Sequence, residues 1–153
     1  MNYHLTNVTL TTDNTIEGME KIQALWNDIT TGNLPLLCDN EHHPIENVTP
    51  ISCYSNYTSD EKGTYDLTIM AETLDFFTKM EEKIGQGSYL LYEEANDEGN
   101  IEACTKQAWI RIWDDQNKQL IKRSFTKDYE ASIPKAFSKD NKAHCYVYIA
   151  IQQ

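Results

Sequence analysis

The sequence has 153 residues, of which 40% are hydrophobic and 24% are charged, and its formal net charge is −11. This size and composition are typical of a single globular domain, which we expect to span residues 1–153 around one hydrophobic core. The 13 Lys and Arg residues are scattered through an acidic chain, which argues against direct binding to nucleic acid. No apolar stretch approaches the roughly 18 residues that cross a bilayer, so we expect no membrane-spanning segment.

The first twelve residues lack the basic and apolar regions of an export signal, which predicts a cytoplasmic location. The four cysteines are widely spaced and are expected to be buried thiols, without disulfides, in a reducing compartment. The His42-His43 pair lies near Cys38, but the spacing matches no known metal site and a solvated loop is the favoured interpretation. Since no phosphate- or dinucleotide-binding motif is present either, we expect neither a metal nor another cofactor.

The chain opens with a strand and a helix. Residues 3–11 alternate and are rich in β-branched side chains, which predicts a strand. Apolar residues then recur at spacings of three and four over residues 16–29, which predicts one helix face. Asn14 or Thr15 is the expected N-cap, and Gly32 is expected to end the helix.

A long surface loop is expected next, over residues 32–50, because no clean periodicity is present there. Residues 51–57 and 64–73 are two strong strand candidates joined by a polar loop, so we expect an antiparallel hairpin. Residues 75–86 are ambiguous between a short helix and an irregular connection.

The second half repeats this order. Residues 88–94 resemble a strand, residues 101–116 have helical spacing, and residues 124–131 and 144–153 are predicted to be two closing strands. The sequence therefore predicts strand, helix, strand, strand, twice.

The two predicted helices also share letters, since Leu25-Trp26 matches Ile112-Trp113 and Asp28 matches Asp115. An internal repeat over roughly residues 1–75 and 86–153 explains this correspondence. The predicted fold class is α+β, a tandem β-α-β-β repeat with pseudo-twofold symmetry, an antiparallel sheet and two main helices. A central ligand groove is expected along the pseudo-twofold axis.

Several segments carry a resemblance to a known family, and it covers nearly the whole chain. They are residues 53–60 and 63–72 of the hairpin, the Ser88-Tyr89 pair, the helix around Trp109 and Trp113, residues 125–130, and the tail 144–151. In these segments the chain resembles the bacterial stand-alone effector-binding domains of the gyrase-inhibitor-like superfamily.

The resemblance implies a groove that binds hydrophobic, often cationic, drug-like molecules. Larger relatives fuse such a domain to a DNA-binding module, so this chain is expected to sense or sequester an effector in connection with transcription regulation. The expected partner is a hydrophobic or cationic aromatic small molecule, and a regulator or gyrase is a possible protein partner.

Two other functions stay open. Some superfamily members hydrolyse strained electrophilic natural products, and others inhibit gyrase as protein-interaction modules. Family members commonly have a Glu where Tyr146 stands and a small residue where Met70 stands, and both departures predict a narrower and less charged groove. They argue against cation binding as well as against hydrolysis, for which Glu72 is the candidate to position water.

Strand alternation places Tyr146 and Tyr148 on the side opposite the helix-facing core, where aromatic rings suit a ligand groove. A solvent-facing sheet is the alternative explanation for these tyrosines, and the tryptophans are more typical of core positions. The candidate ligand-binding residues are Trp26, Tyr54, Thr68, Met70, Glu72, Tyr89, Trp109, Trp113, Tyr146 and Tyr148.

Overall fold

The computed structural model describes residues 1–60 and 62–152. The chain forms two compact units, Met1–Thr78 and Lys79–Gln153. The fold class of the described residues is α+β, with antiparallel strands and three α-helices. The elements in chain order are β1 (Asn7–Thr12), α1 (Ile16–Thr30), β2 (Thr49–Ser55), β3 (Tyr65–Glu72), α2 (Asp75–Gly85), β4 (Tyr89–Asn96), α3 (Ile101–Asn117), β5 (Lys127–Ile133) and β6 (Ala143–Ala150), with a short 3-10 turn at Lys135–Phe137 between β5 and β6.

In the first unit, β3 is the central strand and pairs antiparallel with both β1 and β2. Alternate side chains of β3 point to the helix side, where Tyr65, Leu67 and Ile69 are buried in one cluster with Ile29 of α1. The helix begins as expected, because the Thr15 side chain accepts a hydrogen bond from the Gly18 N–H at 3.1 Å.

In the second unit, β6 is the central strand and pairs antiparallel with β4 and β5. Asn100 caps the start of α3 by accepting a hydrogen bond from the Ala103 N–H at 3.0 Å. One face of α3 packs on β6, as the alternation of the closing strand predicts. The buried side chains in this contact are Cys104, Ala108, Ile112, Cys145, Val147 and Ile149.

Several predicted strand ends differ by two or three residues, since β2 is Thr49–Ser55, β5 is Lys127–Ile133 and β6 ends at Ala150. Two further differences have a clear physical reason. The first strand starts at Asn7 and not at residue 3, because the Leu5 N–H donates to Pro35 O and the Asn40 N–H donates to Tyr3 O. The ambiguous segment is the helix α2, with Phe76 and Met80 buried at helical spacing. The chain therefore has a third helix beside the two main helices expected.

A buried ion pair connects three elements of the second unit. Arg123 Nη2 lies 2.8 Å from Asp128 Oδ2, and the two side chains are only 1% and 0% exposed. The other Asp128 oxygen accepts the Ala150 N–H of β6 at 2.9 Å, and Arg123 Nη1 donates to Gln116 of α3 at 3.2 Å. Arg123 also lies over the Phe125 ring, with its guanidinium carbon 4.3 Å from the ring centroid.

Ile112→Ala should lower the free energy of unfolding by about 2–5 kcal/mol, because it leaves a cavity at a side chain with 0% exposure. Ile110→Ala in the same helix is the matched control, since Ile110 is 44% exposed, and it should change stability by less than about 0.5 kcal/mol. Urea denaturation followed by circular dichroism measures both. Equal losses in the two variants would contradict the assignment of the α3 core face.

Asp128→Asn should lower the free energy of unfolding by about 3–5 kcal/mol, because it leaves the Arg123 charge buried without its counter-charge. Asp114→Asn is the matched control, since Asp114 forms a 2.8 Å ion pair with Lys118 whose partners are both more than half exposed, and it should change stability little. The same denaturation series compares them. A loss below about 1 kcal/mol for Asp128→Asn would show that the buried pair is dispensable.

Candidate functional site

The side of β6 that faces away from α3 carries a group of tyrosines. The antiparallel register places Glu93 of β4 directly opposite Tyr146, and Leu91 directly opposite Tyr148. On the other side of β6, Tyr129 of β5 is also opposite Tyr148. Directly opposed residues share a face of the sheet. We call this surface the tyrosine face, formed by Tyr89, Leu91, Glu93, Tyr129, Tyr146 and Tyr148.

The tyrosine face is buried at one end and open at the other. Tyr148 is 3% exposed and Tyr89 is 8% exposed, whereas Tyr146 is half-buried and Leu91 is 40% exposed. The Glu93 side chain is 50% exposed. A molecule that approaches this surface therefore meets the Tyr146 ring, the Leu91 side chain and the Glu93 carboxylate first.

Two phenol groups on this face, those of Tyr146 and Tyr148, are held in their neutral form. Burial raises the pKa of Tyr148 to about 12, and the neighbouring Tyr146 adds to the shift. The pKa of Tyr146 is also raised, first by burial and then by the negative charge of Glu93. Near neutral pH these two rings are therefore uncharged and lie beside the carboxylate of Glu93.

A histidine closes the outer edge of the face. The His144 ring stacks on Tyr146, with centroids 6.2 Å apart and planes 12° apart. Its Nε2 lies 2.8 Å from Asp140 Oδ1, and its Nδ1 lies 3.8 Å from Glu93 Oε2. The hydrogen bond from His144 lowers the pKa of the Asp140 carboxyl. The edge beside Tyr146 thus carries two carboxylates with an imidazole between them.

The opposite end of the face already holds a cation against an aromatic ring. Lys83 Nζ of α2 lies 5.6 Å from the centroid of the Tyr89 ring. Tyr89 is fixed by a 2.7 Å hydrogen bond from its hydroxyl to Lys127 O, and its ring centroid is 6.1 Å from that of Tyr129. The geometry of these rings is therefore compatible with cation–π contacts.

Of the candidate ligand-binding residues in the second unit, the structure brings Tyr89, Tyr146 and Tyr148 together. Trp109 and Trp113 lie on the other side of the strands, partly buried against the core cluster between α3 and β6. The Trp109 Nε1–H donates to Glu130 at 2.8 Å. The two tryptophans consequently do not share a surface with the tyrosines.

The candidates in the first unit also divide between two sides. Trp26 and Tyr54 are partly buried against the core that contains Leu67 and Ile69. Thr68, Met70 and Glu72 alternate with those core residues on β3 and are half-buried on the opposite face. There Thr68 Oγ1 hydrogen-bonds Thr9 Oγ1 at 2.9 Å.

Sequence reasoning missed Glu93 and Tyr129 as members of the tyrosine face. A signal for Glu93 was present, because strand alternation places residue 93 on the same face as Tyr89. The position opposite Tyr146 depends on the pairing register of β4 and β6, which no local pattern contains.

No group of three or more His, Cys, Asp or Glu residues in the described ranges is arranged to hold a metal ion. Within the same residues, no helix is long and apolar enough to cross a membrane. No family model matches the chain, and neither curated proteins nor solved structures give a significant match.

The ionisation of Tyr148 should lower the free energy of unfolding at alkaline pH, and Tyr148→Phe should remove this effect. The unfolded phenol has a pKa near 10 and the folded one a pKa of about 12, so between these values the unfolded chain binds fewer protons and stability falls as pH rises. The stability of the wild-type chain relative to Tyr148→Phe should therefore drop by about 1.4 kcal/mol between pH 9 and pH 11. Urea denaturation at both pH values measures this difference, and a constant difference would mean that Tyr148 ionises alike in the folded and unfolded chains.

Proposed function

We propose that the tyrosine face binds a hydrophobic small molecule that carries a positive charge. The observation that carries this proposal is the pairing of Glu93 with Tyr146, because it places a half-exposed carboxylate beside an aromatic ring. A cationic aromatic molecule stacked on Tyr146 gains cation–π attraction and a nearby counter-charge. A neutral molecule of the same shape gains only the apolar contact.

Glu93 also offers a carboxylate near Tyr146, the position where this chain differs from the family pattern that the resemblance implies. The resemblance implies a carboxylate on the closing strand where this chain has Tyr146. Cross-strand neighbours lie about 4.5–5.5 Å apart at their Cβ atoms, so Glu93 on β4 offers a carboxylate from the adjacent strand. Loss of the closing-strand Glu therefore does not remove negative charge from this surface.

The proposed biological role is that of a stand-alone domain that senses or sequesters such an effector in the cytoplasm. The gyrase-inhibitor-like resemblance supports this role, as does the internal repeat that we propose for the two units. Apart from α2, which spans the boundary, the element order in both units is strand, helix, strand, strand, and the last strand is central and pairs with the other two. The pseudo-twofold axis, the central groove and a link to a transcription regulator or gyrase stay predictions.

The test compares one aromatic cation with a neutral molecule of nearly the same shape, N-methylquinolinium and 1-methylnaphthalene, by calorimetry. The wild-type chain should prefer the cation, and Glu93→Gln should weaken cation binding by about tenfold, which corresponds to about 1.4 kcal/mol. Binding of the neutral molecule should change by less than twofold. The preference for the cation should also shrink at high salt, because Glu93 is half exposed.

Glu94→Gln is the matched control, because Glu94 is the next residue on the same strand, points to the opposite face and pairs with Arg111 at 2.9 Å. It should leave both affinities unchanged. If Glu93→Gln weakens the two molecules equally, or if neither molecule binds the wild-type chain, the proposed function is wrong.

A further inference from the structure

The His144 side chain at the edge of the tyrosine face has one ring nitrogen that makes no hydrogen bond. The side chain is 15% exposed, and its Nδ1 atom is buried without a hydrogen-bond partner in the part of the chain that the structure describes. The Glu93 Oε2 atom is 3.8 Å from Nδ1, which is too far for a hydrogen bond. A buried polar atom left in this way costs stability, so its presence calls for an explanation.

The other ring nitrogen of His144 determines where the hydrogen of the neutral ring lies. Nε2 is 2.8 and 2.9 Å from the two oxygens of Asp140, and this hydrogen bond is the first cause of the lowered pKa of the Asp140 carboxyl. An ionised carboxylate only accepts hydrogen bonds, so Nε2 is the donor and Nδ1 of the neutral ring is a lone pair. The lone pair faces a second acceptor, Glu93, and the two cannot bond to each other.

A proton on Nδ1 changes this mismatch into an attraction. An imidazolium has a donor on each nitrogen, and a carboxylate already lies on each side of the His144 ring. Asp140 is at hydrogen-bond distance, and Glu93 needs to move by less than about 1 Å to reach it. Histidine is also the side chain that ordinarily changes its charge between pH 5 and pH 8. The edge of the tyrosine face is therefore built to respond to a proton.

The remaining neighbours of His144 add no uncompensated positive charge. The residues directly opposite it in the sheet are Ala95 of β4 and Ile133 of β5, and neither carries a charge. Lys142 lies two residues before His144, but its ammonium is 3.3 Å from the carboxylate of Asp97. The proton on His144 thus meets mainly negative charge, from Glu93 and Asp140.

We propose that His144 competes with the bound cation for Glu93, so that protonation of its Nδ1 releases the ligand from the tyrosine face. This inference rests on the proposed function, in which Glu93 is the counter-charge of the ligand. The imidazolium takes that counter-charge. It also lies nearly parallel to the Tyr146 ring, with centroids 6.2 Å apart, and so brings a like charge close to the ring on which the ligand stacks. Both effects weaken binding as the pH falls.

The first test measures the affinity for N-methylquinolinium by calorimetry at pH 8 and at pH 5.5. This probe keeps its charge at both pH values, because its nitrogen has no proton to lose. The affinity of the wild-type chain should fall about tenfold at pH 5.5, as for Glu93→Gln, because the same charge is compensated. Binding of 1-methylnaphthalene should change by less than twofold. His144→Gln cannot be protonated in this range and should remove the fall.

His43→Gln is the matched control, because His43 also lies between two carboxylates. Its Nδ1 is 3.1 Å from Asp39 and 3.9 Å from Glu41, but it belongs to the first unit and is no part of the tyrosine face. The tenfold effect of pH should persist in this variant. Circular dichroism at both pH values shows whether each variant is folded.

The second test needs no ligand and follows the ring nitrogens of His144 by nitrogen-15 NMR. Nδ1 should be a lone pair at pH 8 and should carry a hydrogen at pH 5.5. Glu93→Gln should move this change to lower pH by about 0.5 pH unit, the size expected of an ion pair with a half-exposed partner. Since binding coupling is reciprocal, saturating N-methylquinolinium should move it in the same direction.

The outcomes separate this inference from the proposed function. If the wild-type chain prefers the cation at pH 8 but binds it equally well at pH 5.5, the competition by His144 is wrong and the proposed function stands. The inference is also overturned if Nδ1 does not change its protonation, if Glu93→Gln leaves that change in place, or if His144→Gln retains the fall in affinity. If the cation is not preferred at pH 8, the proposed function fails and this inference fails with it.

Discussion

The second unit depends on one interaction between two opposite charges that have almost no contact with water. Burying the charge of Arg123 or of Asp128 without the other would be strongly unfavourable in a low-dielectric interior. Each is instead used several times, since the carboxylate also accepts the Ala150 N–H and the guanidinium also contacts Gln116 and the Phe125 ring. These directional contacts connect the start of β5 with β6 and α3. In the same part of the sheet, the β5–β6 register places Tyr129 opposite Tyr148.

Most helices and strands could be predicted from periodicity, because each buries one face. The α1 and α3 positions repeat at helical spacing, and the alternation of β3 and β6 identifies the buried side chains Leu67, Ile69, Val147 and Ile149. The α2 helix was ambiguous because its eleven residues bury only Phe76 and Met80, which is too short a pattern to distinguish from irregular structure. The late start of the first strand, at Asn7, depends on hydrogen bonds from the preceding residues to residues 35 and 40, which are distant in sequence.

The candidate site was predictable only in part. Alternation was enough to place Tyr146 and Tyr148 on the face opposite the core, because a strand has two sides. It could not decide between core and ligand for Trp109, whose indole N–H bonds to Glu130 on another strand. The pairing of Glu93 with Tyr146 depends on the register between two strands that are distant in sequence. Local sequence spacing does not contain that register.

The central strand of each unit is also the last of its strands in the chain. In the second unit, β4 and β5 both pair antiparallel with β6. Tyr89 therefore cannot take its place in the sheet until Ala150, the residue opposite it, has been synthesised. Closing this separation costs chain entropy before any ladder bond forms, so such topologies fold more slowly than hairpins formed in sequence order. During synthesis, the residues of β4 and β5 therefore emerge as strand segments whose shared partner does not yet exist. During that interval α3 can already form, because a helix needs only local hydrogen bonds.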